Sequence, residues 1–219
     1  MTTTRRDLLR LGGVAAAGAS VAACSGGRCG TENPSGTTRS IRLPYLFDGN
    51  PQAQQVARRL LAAASGVEDL RTHEQFMRLA IEQSKGNPAR PFGAVIVDHT
   101  TGEVLGQGVN RSSVNPTFHG EVMAINDYVA RHGDTGWQRT TLYSTGEPCA
   151  MCCGAMAWAG IPRVVWASSI ATIRASGIPQ IDISAVEAAA RAYQVCEPEL
   201  YLGGVLADEM DKRFATRVR

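Results

Sequence analysis

Apolar positions recur along this chain in two rhythms, and the change between them sets out the predicted elements. Phe92–Val97 and Val104–Val109 are short runs of mainly apolar, β-branched residues joined by Asp98 to Gly102. Runs of that kind, bounded by turn residues, predict a β-hairpin. Helical signals precede it. Asn50-Pro51 offers a cap and a first helical residue for a helix to about Ala64. Thr72-His73-Glu74-Gln75 has the form of a capping box for a helix ending near Ser84, which makes His73 a surface helix-start residue rather than a ligand. After the hairpin the pattern predicts a helix from His119 to about Arg131, a strand at Thr141–Ser144 and a helix at Cys149–Ala159. A strand at Val164–Ala167, a helix at Ser184–Tyr193, a strand at Glu199–Leu202 and a helix at Val205–Thr216 complete it. Alternating strands and helices predict an α/β fold, a three-layer α/β/α sandwich. Residues 41–219 are assigned to this one domain, with an N-terminal helical extension, and no internal repeat interrupts it.

The first 40 residues read differently. Arg5-Arg6 precede a mild apolar run from Leu11 to Ala23, which has the form of a twin-arginine export signal over residues 1–23. The run is too short for a membrane-spanning helix, which needs about 20 residues. It ends Val21-Ala22-Ala23-Cys24, small residues before a cysteine, and so resembles a bacterial lipoprotein processing site with Cys24 as the lipidated residue. The alternative is an unstructured start with chance arginines. Residues 24–40, rich in Gly, Ser, Thr and Pro, predict a flexible tether. The expected location is therefore outside the bacterial cytoplasm, as a membrane-anchored lipoprotein on the periplasmic or extracellular face, reached by export of an already folded, metal-loaded protein.

Charge bears on the partner. The chain holds 22 basic and 20 acidic residues, and residues 1–23 carry three of the arginines and one aspartate, so 19 of each sign remain. A polynucleotide binder usually carries a basic excess, so a small substrate is expected and nucleic acid is not. Of six cysteines, Cys24 is assigned to lipid and Cys149 and Cys152 to a metal. Cys29, Cys153 and Cys196 remain, and a Cys29–Cys196 disulfide is an option outside the cytoplasm.

The chemistry concentrates in two short motifs, His119-Gly120-Glu121 and, further on, Pro148-Cys149-Ala150-Met151-Cys152. One His and two Cys make three zinc ligands and leave a fourth tetrahedral position open. Cys149 and Cys152, three apart at a helix start, can share one metal, and Pro148 suits that start. His119 and Glu121 would point apart in mid-helix, so the pair must sit where the chain enters the helix. Zinc makes water a nucleophile near neutral pH. Glu121, not needed for the metal, can then carry protons from the water to the substrate. The competing reading is a closed structural zinc clip. Its nearest fourth ligand, Cys153, lies about 100° round the helix from Cys152.

These motifs, H-x-E followed by P-C-x-x-C, resemble those of the cytidine/deoxycytidylate deaminase superfamily. The likeness runs from about Phe76 to about Val165 and includes Pro91 to Val97, Gly108-Val109-Asn110, Asn115 to Glu121 and Glu147 to Cys152. It is strongest to the guanine-deaminase and tRNA-adenosine-deaminase branch. The resemblance implies a zinc-dependent hydrolytic deaminase, a homodimer, and a pocket in which Asn110 bonds the base, the Gly120 N–H contacts it and Phe92 lines it. The family usually has Ala where Gly120 stands. Trp158 is similar to the guanine-deaminase members, where the tRNA enzymes tend to carry His, and would wall a free base; the alternative is an ordinary core tryptophan. Asn110 has its own alternative, a turn residue after a strand. The segment from Ala171 to Ile183 departs from the tRNA-enzyme pattern. Its Ile178-Pro179-Gln180-Ile181-Asp182 either touches substrate or is a plain connecting loop. The expected substrate is a free purine or related aminated heterocycle, guanine first. Nucleosides, cytosine and tRNA adenosine are the alternatives, and a catalytically silent zinc module on the cell surface is the alternative of another class.

Overall fold

The computed structural model describes residues 50–68 and 70–218. Arg5, Arg6, Cys24, Cys29 and the predicted signal and tether lie outside the described residues. Among the described residues seven helices follow in chain order: α1 (Pro51–Ser65), α2 (Arg71–Ser84), α3 (Gly120–His132), α4 (Ala150–Ala159), α5 (Ile170–Ala175), α6 (Ala185–Arg191) and α7 (Ala207–Ala215). The strands are β1 (Gly93–Asp98), β2 (Val104–Val109), β3 (Thr140–Gly146), β4 (Arg163–Ser168) and β5 (Leu200–Gly203), and a short 3₁₀ turn covers Trp137–Arg139. None of the described helices is long and apolar enough to cross a membrane.

The strands form one sheet in the order β2-β1-β3-β4-β5. β1 runs antiparallel to both β2 and β3, while β3, β4 and β5 are mutually parallel. Each inner strand sends alternate residues to opposite faces, as a sheet covered on both sides requires. Ile96, Leu142, Val164, Trp166 and Tyr201 face a layer that holds Leu60, Ala124, Tyr128, Met156 and Ala189. Val95, Val97, Tyr143, Val165 and Leu202 face a layer that holds Met77, Ile81, Ile173, Met210 and Phe214. Thus α1, α3, α4 and α6 cover one face and α2, α5 and α7 the other, the predicted three-layer sandwich. Ala53, Ala57 and Leu60 of α1 are fully buried in the first layer, so the N-terminal helix is part of the core.

Local chemistry accounts for most boundaries. The Asn50 side chain accepts from the Ala53 N–H at 3.0 Å and starts α1 as predicted. The capping box at Thr72 does not form. Helix α2 begins at Arg71 with Leu70 as its cap residue and no side-chain cap bond. That earlier start puts Thr72 inside the first turn and brings His73 against the sheet. His73 is half-buried, with Nδ1 3.0 Å from the Tyr143 hydroxyl, rather than a surface residue. The pattern also missed α5, a six-residue helix capped by Ser169, whose side chain accepts from the Thr172 N–H.

One close approach decides where the site lies. A Cβ on Gly108 would stand 2.4 Å from both the Ala124 nitrogen and the Gly120 oxygen. Only glycine lets α3 lie this near β2, and that depth sets the height of the residues at the start of α3.

Candidate active site

Two helix N-termini and one strand end meet at one corner of the sheet. His119 is the N-cap of α3, with φ −74° and ψ 160°, and Cys149 is the N-cap of α4, with φ −68° and ψ 166°. An N-cap residue is extended, so its side chain is not bound to the helical wheel and turns toward the first helical turn. This removes the conflict between His119 and Glu121. The histidine leaves from the cap and the glutamate from the second helical residue, and both reach one point. The same geometry brings Cys149 at the cap to Cys152 three residues on.

The cluster has metal-site dimensions. Cys149 Sγ lies 3.6 Å from His119 Nδ1 and 3.6 Å from Cys152 Sγ, and Cys152 Sγ lies 3.5 Å from His119 Nδ1. Tetrahedral zinc with sulfur at about 2.3 Å and nitrogen at about 2.0–2.1 Å places two sulfurs about 3.8 Å apart and sulfur and nitrogen about 3.5 Å apart. The residues present therefore fit a zinc ion held by three protein ligands. Among the described residues no other group of three or more such side chains converges in this way. Cys153 is not a fourth ligand. It is buried, and its thiol donates to the Pro148 carbonyl at 3.3 Å.

Glu121 completes the corner. It is 3 % exposed. Ser144 donates to its Oε1 at 3.1 Å, and its Oε2 lies 3.5 Å from Cys152 Sγ. Burial, and after it the negative Cys149, pushes the Glu121 carboxyl above the usual range, which favours a carboxylate able to hold a proton. The groups of the cluster differ in their hold on protons. A hydrogen bond from Cys152, and then one from His119, pulls the Cys149 thiol down to about 4. The same Cys149–Cys152 contact, then burial, pushes Cys152 up. His119 is raised, first by its bond to Cys149. Both helix N-termini add positive potential at this point.

The cluster opens into a cavity of about 200 Å³. His119, Glu121 and Cys149 form part of its wall, with Phe92 and Asn110. Asn110 is 3 % exposed. Its Oδ1 accepts from the Ser112 N–H at 3.1 Å and from the Ser112 hydroxyl at 2.9 Å. A backbone N–H can only donate, so the oxygen's place is fixed and the amide N–H₂ is the free half of the side chain. Ile178, Pro179, Gln180 and Ile181 also line the cavity, so this part of the 171–183 segment is pocket wall rather than a plain connection.

One expected residue is placed otherwise. Trp158 is 81 % exposed and does not reach the cavity, and it is not a core tryptophan either. It stands about 240° round the helix from Cys152, on the side that neither the metal corner nor the core uses. Gly120 is the buried first residue of α3, and a Cβ there would stand 2.9 Å from the Phe92 carbonyl oxygen. An alanine would press on the residue that lines the cavity.

Sequence reasoning also passed over several residues. Ser144 gave no signal beyond its place in a strand. Arg90 and Met151 line the cavity without any pattern that marks them. Glu147 belongs to the quoted motif, yet no role was read for it. Its Oε2 accepts from the Ile170 N–H and its Oε1 from the Ala185 N–H, both at 2.9 Å. Burial raises its carboxyl above the ordinary glutamate range, against the pull of those two bonds. The one available signal was a charged residue between a buried strand and an apolar helix.

Three cation ligands and a buried carboxylate beside a cavity define a candidate zinc centre. Residues 70–168 match the cytidine and deoxycytidylate deaminase zinc-binding region. A guanine deaminase from Bacillus subtilis is 34% identical over 135 residues, which cover 56% of this chain and 85% of that protein. A tRNA-specific adenosine deaminase from Streptococcus pyogenes is 38% identical over 99 residues, 43% of this chain and 61% of that protein's length. Among solved structures, the guanine deaminase from Nitrosomonas europaea superposes with a TM-score of 0.55 at 22% identity, over 71% of this chain and 89% of that one, a likeness of fold. This chain belongs to the cytidine and deoxycytidylate deaminase family, which binds zinc.

Proposed function

We propose that this protein is a hydrolytic deaminase that replaces the amino group on a ring carbon of a free purine base, guanine foremost, by a carbonyl oxygen and releases ammonia. The observation that carries this reading is Glu121, buried between Ser144 and Cys152 beside the three-ligand cluster and facing the cavity. His119, Cys149 and Cys152 would hold the zinc, which when bound supplies Lewis-acid activation of water near neutral pH.

The protein's own residues do the rest. Ser144 occupies Oε1 of Glu121 and leaves Oε2, on the cluster side, as the oxygen that takes the proton from the attacking water. Oε2 passes that proton to the ring nitrogen beside the attacked carbon, and the amine leaves as ammonia after a second transfer by the same oxygen. Asn110 offers its N–H₂ to an acceptor on the base edge, and Phe92 packs against the ring. A wall at Ile178–Ile181 limits the space to a small heterocycle and keeps bulk water out.

The match to a guanine deaminase over 85% of that protein's length and the balanced charge of residues 24–219 favour a free base. The identity to tRNA-specific adenosine deaminases makes tRNA adenosine the second reading. Purified zinc-loaded protein is to be screened for ammonia release from guanine, cytosine, adenosine, guanosine and a tRNA anticodon stem. Release from guanine alone is expected. Release only from the tRNA stem would replace the first reading by the second, and release from none would leave a binding module.

Export belongs to the same proposal. Arg5-Arg6 ahead of the Leu11–Ala23 run and the small residues before Cys24 support twin-arginine export and a lipid anchor at Cys24. Replacing both arginines by lysine is expected to retain the protein in the cytosol, and Cys24→Ala to leave the exported form unlipidated. Unchanged fractionation of both variants would contradict the proposal.

A further inference from the structure

Glu147 is a buried acid that the proposed chemistry does not use, and it bridges two helix starts. The first backbone N–H groups of a helix have no partner within it. Ser169 and Ser184 cap α5 and α6 by accepting from Thr172 and Glu187. The N–H of the first helical residue of each, Ile170 and Ala185, goes instead to one carboxyl group, that of Glu147. Between these two anchors lie Ile178, Pro179, Gln180 and Ile181, the cavity wall. Ile178 is also packed in the core below the wall, while the other polar ties across this segment are weaker. Arg174 and Asp182 form an ion pair across solvent, and Arg217 donates to the Ser176 carbonyl. Exposed pairs of that kind hold little.

Glu147 also stands directly before Pro148 and Cys149. Its own N–H donates to the Ser168 carbonyl at 2.7 Å, which fixes the end of β3 to the end of β4. A single residue is thus rigidly tied to the metal corner at its backbone and to both ends of the cavity wall at its side chain. We infer that Glu147 is a positioning residue: its carboxyl group sets the distance between the metal corner and the 176–184 wall and thereby places the Gln180 amide for recognition of the base. Gln180 is the polar side chain of that wall, and an amide can both donate to and accept from a base edge. The substrate part of this inference rests on the deaminase reading above; the placement of the wall does not.

Two substitutions break the clamp from opposite sides. Glu147→Gln keeps the shape but leaves one acceptor oxygen where two N–H groups need one each. Ala185→Pro removes the donor at a first helical position, where proline's φ fits and the preceding Ser184 is already extended. In the full zinc-loaded protein, both variants are expected to speed deuterium exchange over residues 170–185, with α3 and α4 unchanged and one zinc per chain retained. For the base turned over, KM is expected to rise about tenfold with kcat within about threefold, the pattern of lost ground-state positioning. Gln180→Ala is expected to raise KM without altering exchange. Exchange unchanged in both clamp variants, or accelerated equally across the fold, would overturn the inference. So would loss of zinc from Glu147→Gln, which would make Glu147 a support of Cys149 alone. If the wild-type protein turns over no base, the deaminase reading fails, and the exchange measurement still decides for or against the clamp.

Discussion

The metal corner and the 169–184 segment both contribute to the wall of one cavity, yet they are built by different means. The corner uses two N-cap residues, His119 and Cys149, on helices whose depth is fixed by the sheet and by Gly108. Cys149, Cys152 and Glu121 are buried, His119 is half-buried, and these side chains lie in contact with one another. The closing wall sits on two short helices and the loop between them, with Ile178 packed in the core, an exposed ion pair and the buried polar anchor at Glu147. Chemistry needs fixed positions and selection of a substrate needs variable ones, so the wall is where related enzymes can diverge while the corner stays. Substitutions at the corner should therefore abolish reaction with every substrate. Substitutions at the wall should shift which substrate is preferred.

The largest effect is expected from Cys149→Ala. Two ligands do not hold a zinc ion as three do, and the released charge leaves His119 and Cys152 without a shared partner. Metal analysis should find most of the zinc gone and turnover absent with all bases. Full zinc content in this variant would remove Cys149 from the ligand set. Glu121→Gln comes next. It keeps the size and the Ser144 bond but cannot accept the proton, so kcat should fall about 10²–10⁴-fold with zinc unchanged. Rates equal to wild type on any substrate would take Glu121 out of the reaction.

Zinc binding should release protons. The metal-free cluster keeps the proton on Cys152, whose pKa is raised first by its bond with Cys149, and His119 is also raised, while Cys149 at about 4 is already ionised near neutral pH. A ligand must be deprotonated to bind. Affinity should therefore increase with pH, by about tenfold or more per unit near pH 7, since at least the Cys152 proton is displaced. Titration calorimetry in buffers of different ionisation enthalpy measures the count. A pH-independent affinity would mean that the cluster does not bind metal through both thiols.

Legibility followed the same division. His119, Glu121, Cys149 and Cys152 were readable because metal chemistry needs those residue types at those spacings. Only the N-cap geometry, which frees a side chain from the 100° step of the helix, was needed to reconcile His119 with Glu121. The strands β1 and β4 were readable because they are apolar on both faces, while β3 showed itself only by Leu142 and Tyr143 within a run of Thr and Ser. At Thr72 the box pattern lost to a helix that starts two residues earlier and turns His73 to Tyr143. Helix α5 was hidden because six residues hold less than two full turns of pattern. The role of Glu147 was hidden because it depends on N–H groups 23 and 38 residues away, which no local spacing encodes.

A smaller effect is expected at Asn110, which lies between the two walls. Its oxygen is held by Ser112, so Asn110→Ala loses the N–H₂ offered to the base and also leaves the Ser112 N–H without its acceptor. The cost should be about 1–3 kcal/mol, or roughly 5–150-fold in kcat/KM. Ser112→Ala should reproduce part of it by loosening the amide, since the hydroxyl bond at 2.9 Å goes and the backbone bond stays. Steady-state kinetics on the preferred base checks both. If Asn110→Ala is kinetically silent, the residue is only a turn asparagine and base recognition lies wholly on the closing wall.

Trp158 should give the smallest catalytic effect, and it tests whether one chain builds the whole cavity. It is 81 % exposed on α4, on the side away from Cys152 and Met156, so within one chain its removal touches neither wall. A surface substitution of this kind changes stability by about 0.5 kcal/mol or less. Trp158→Ala should then leave the melting temperature nearly unchanged and kcat/KM within about twofold, far below the effect at Asn110. A large indole left in water is nonetheless costly, and large exposed aromatics mark contact surfaces. A homodimer, which the family resemblance implies, would cover it if its interface lay on this side of α4, where nothing stands within 4 Å of a Cβ on the neighbouring Gly154. Light scattering should then show a dimer for the wild-type protein and a shift toward monomer for Trp158→Ala. A dimer that survives the substitution would move the interface to another face. A loss of turnover that tracks the loss of dimer would show that a second copy steadies the corner from outside, which would add a third wall to the two that one chain supplies.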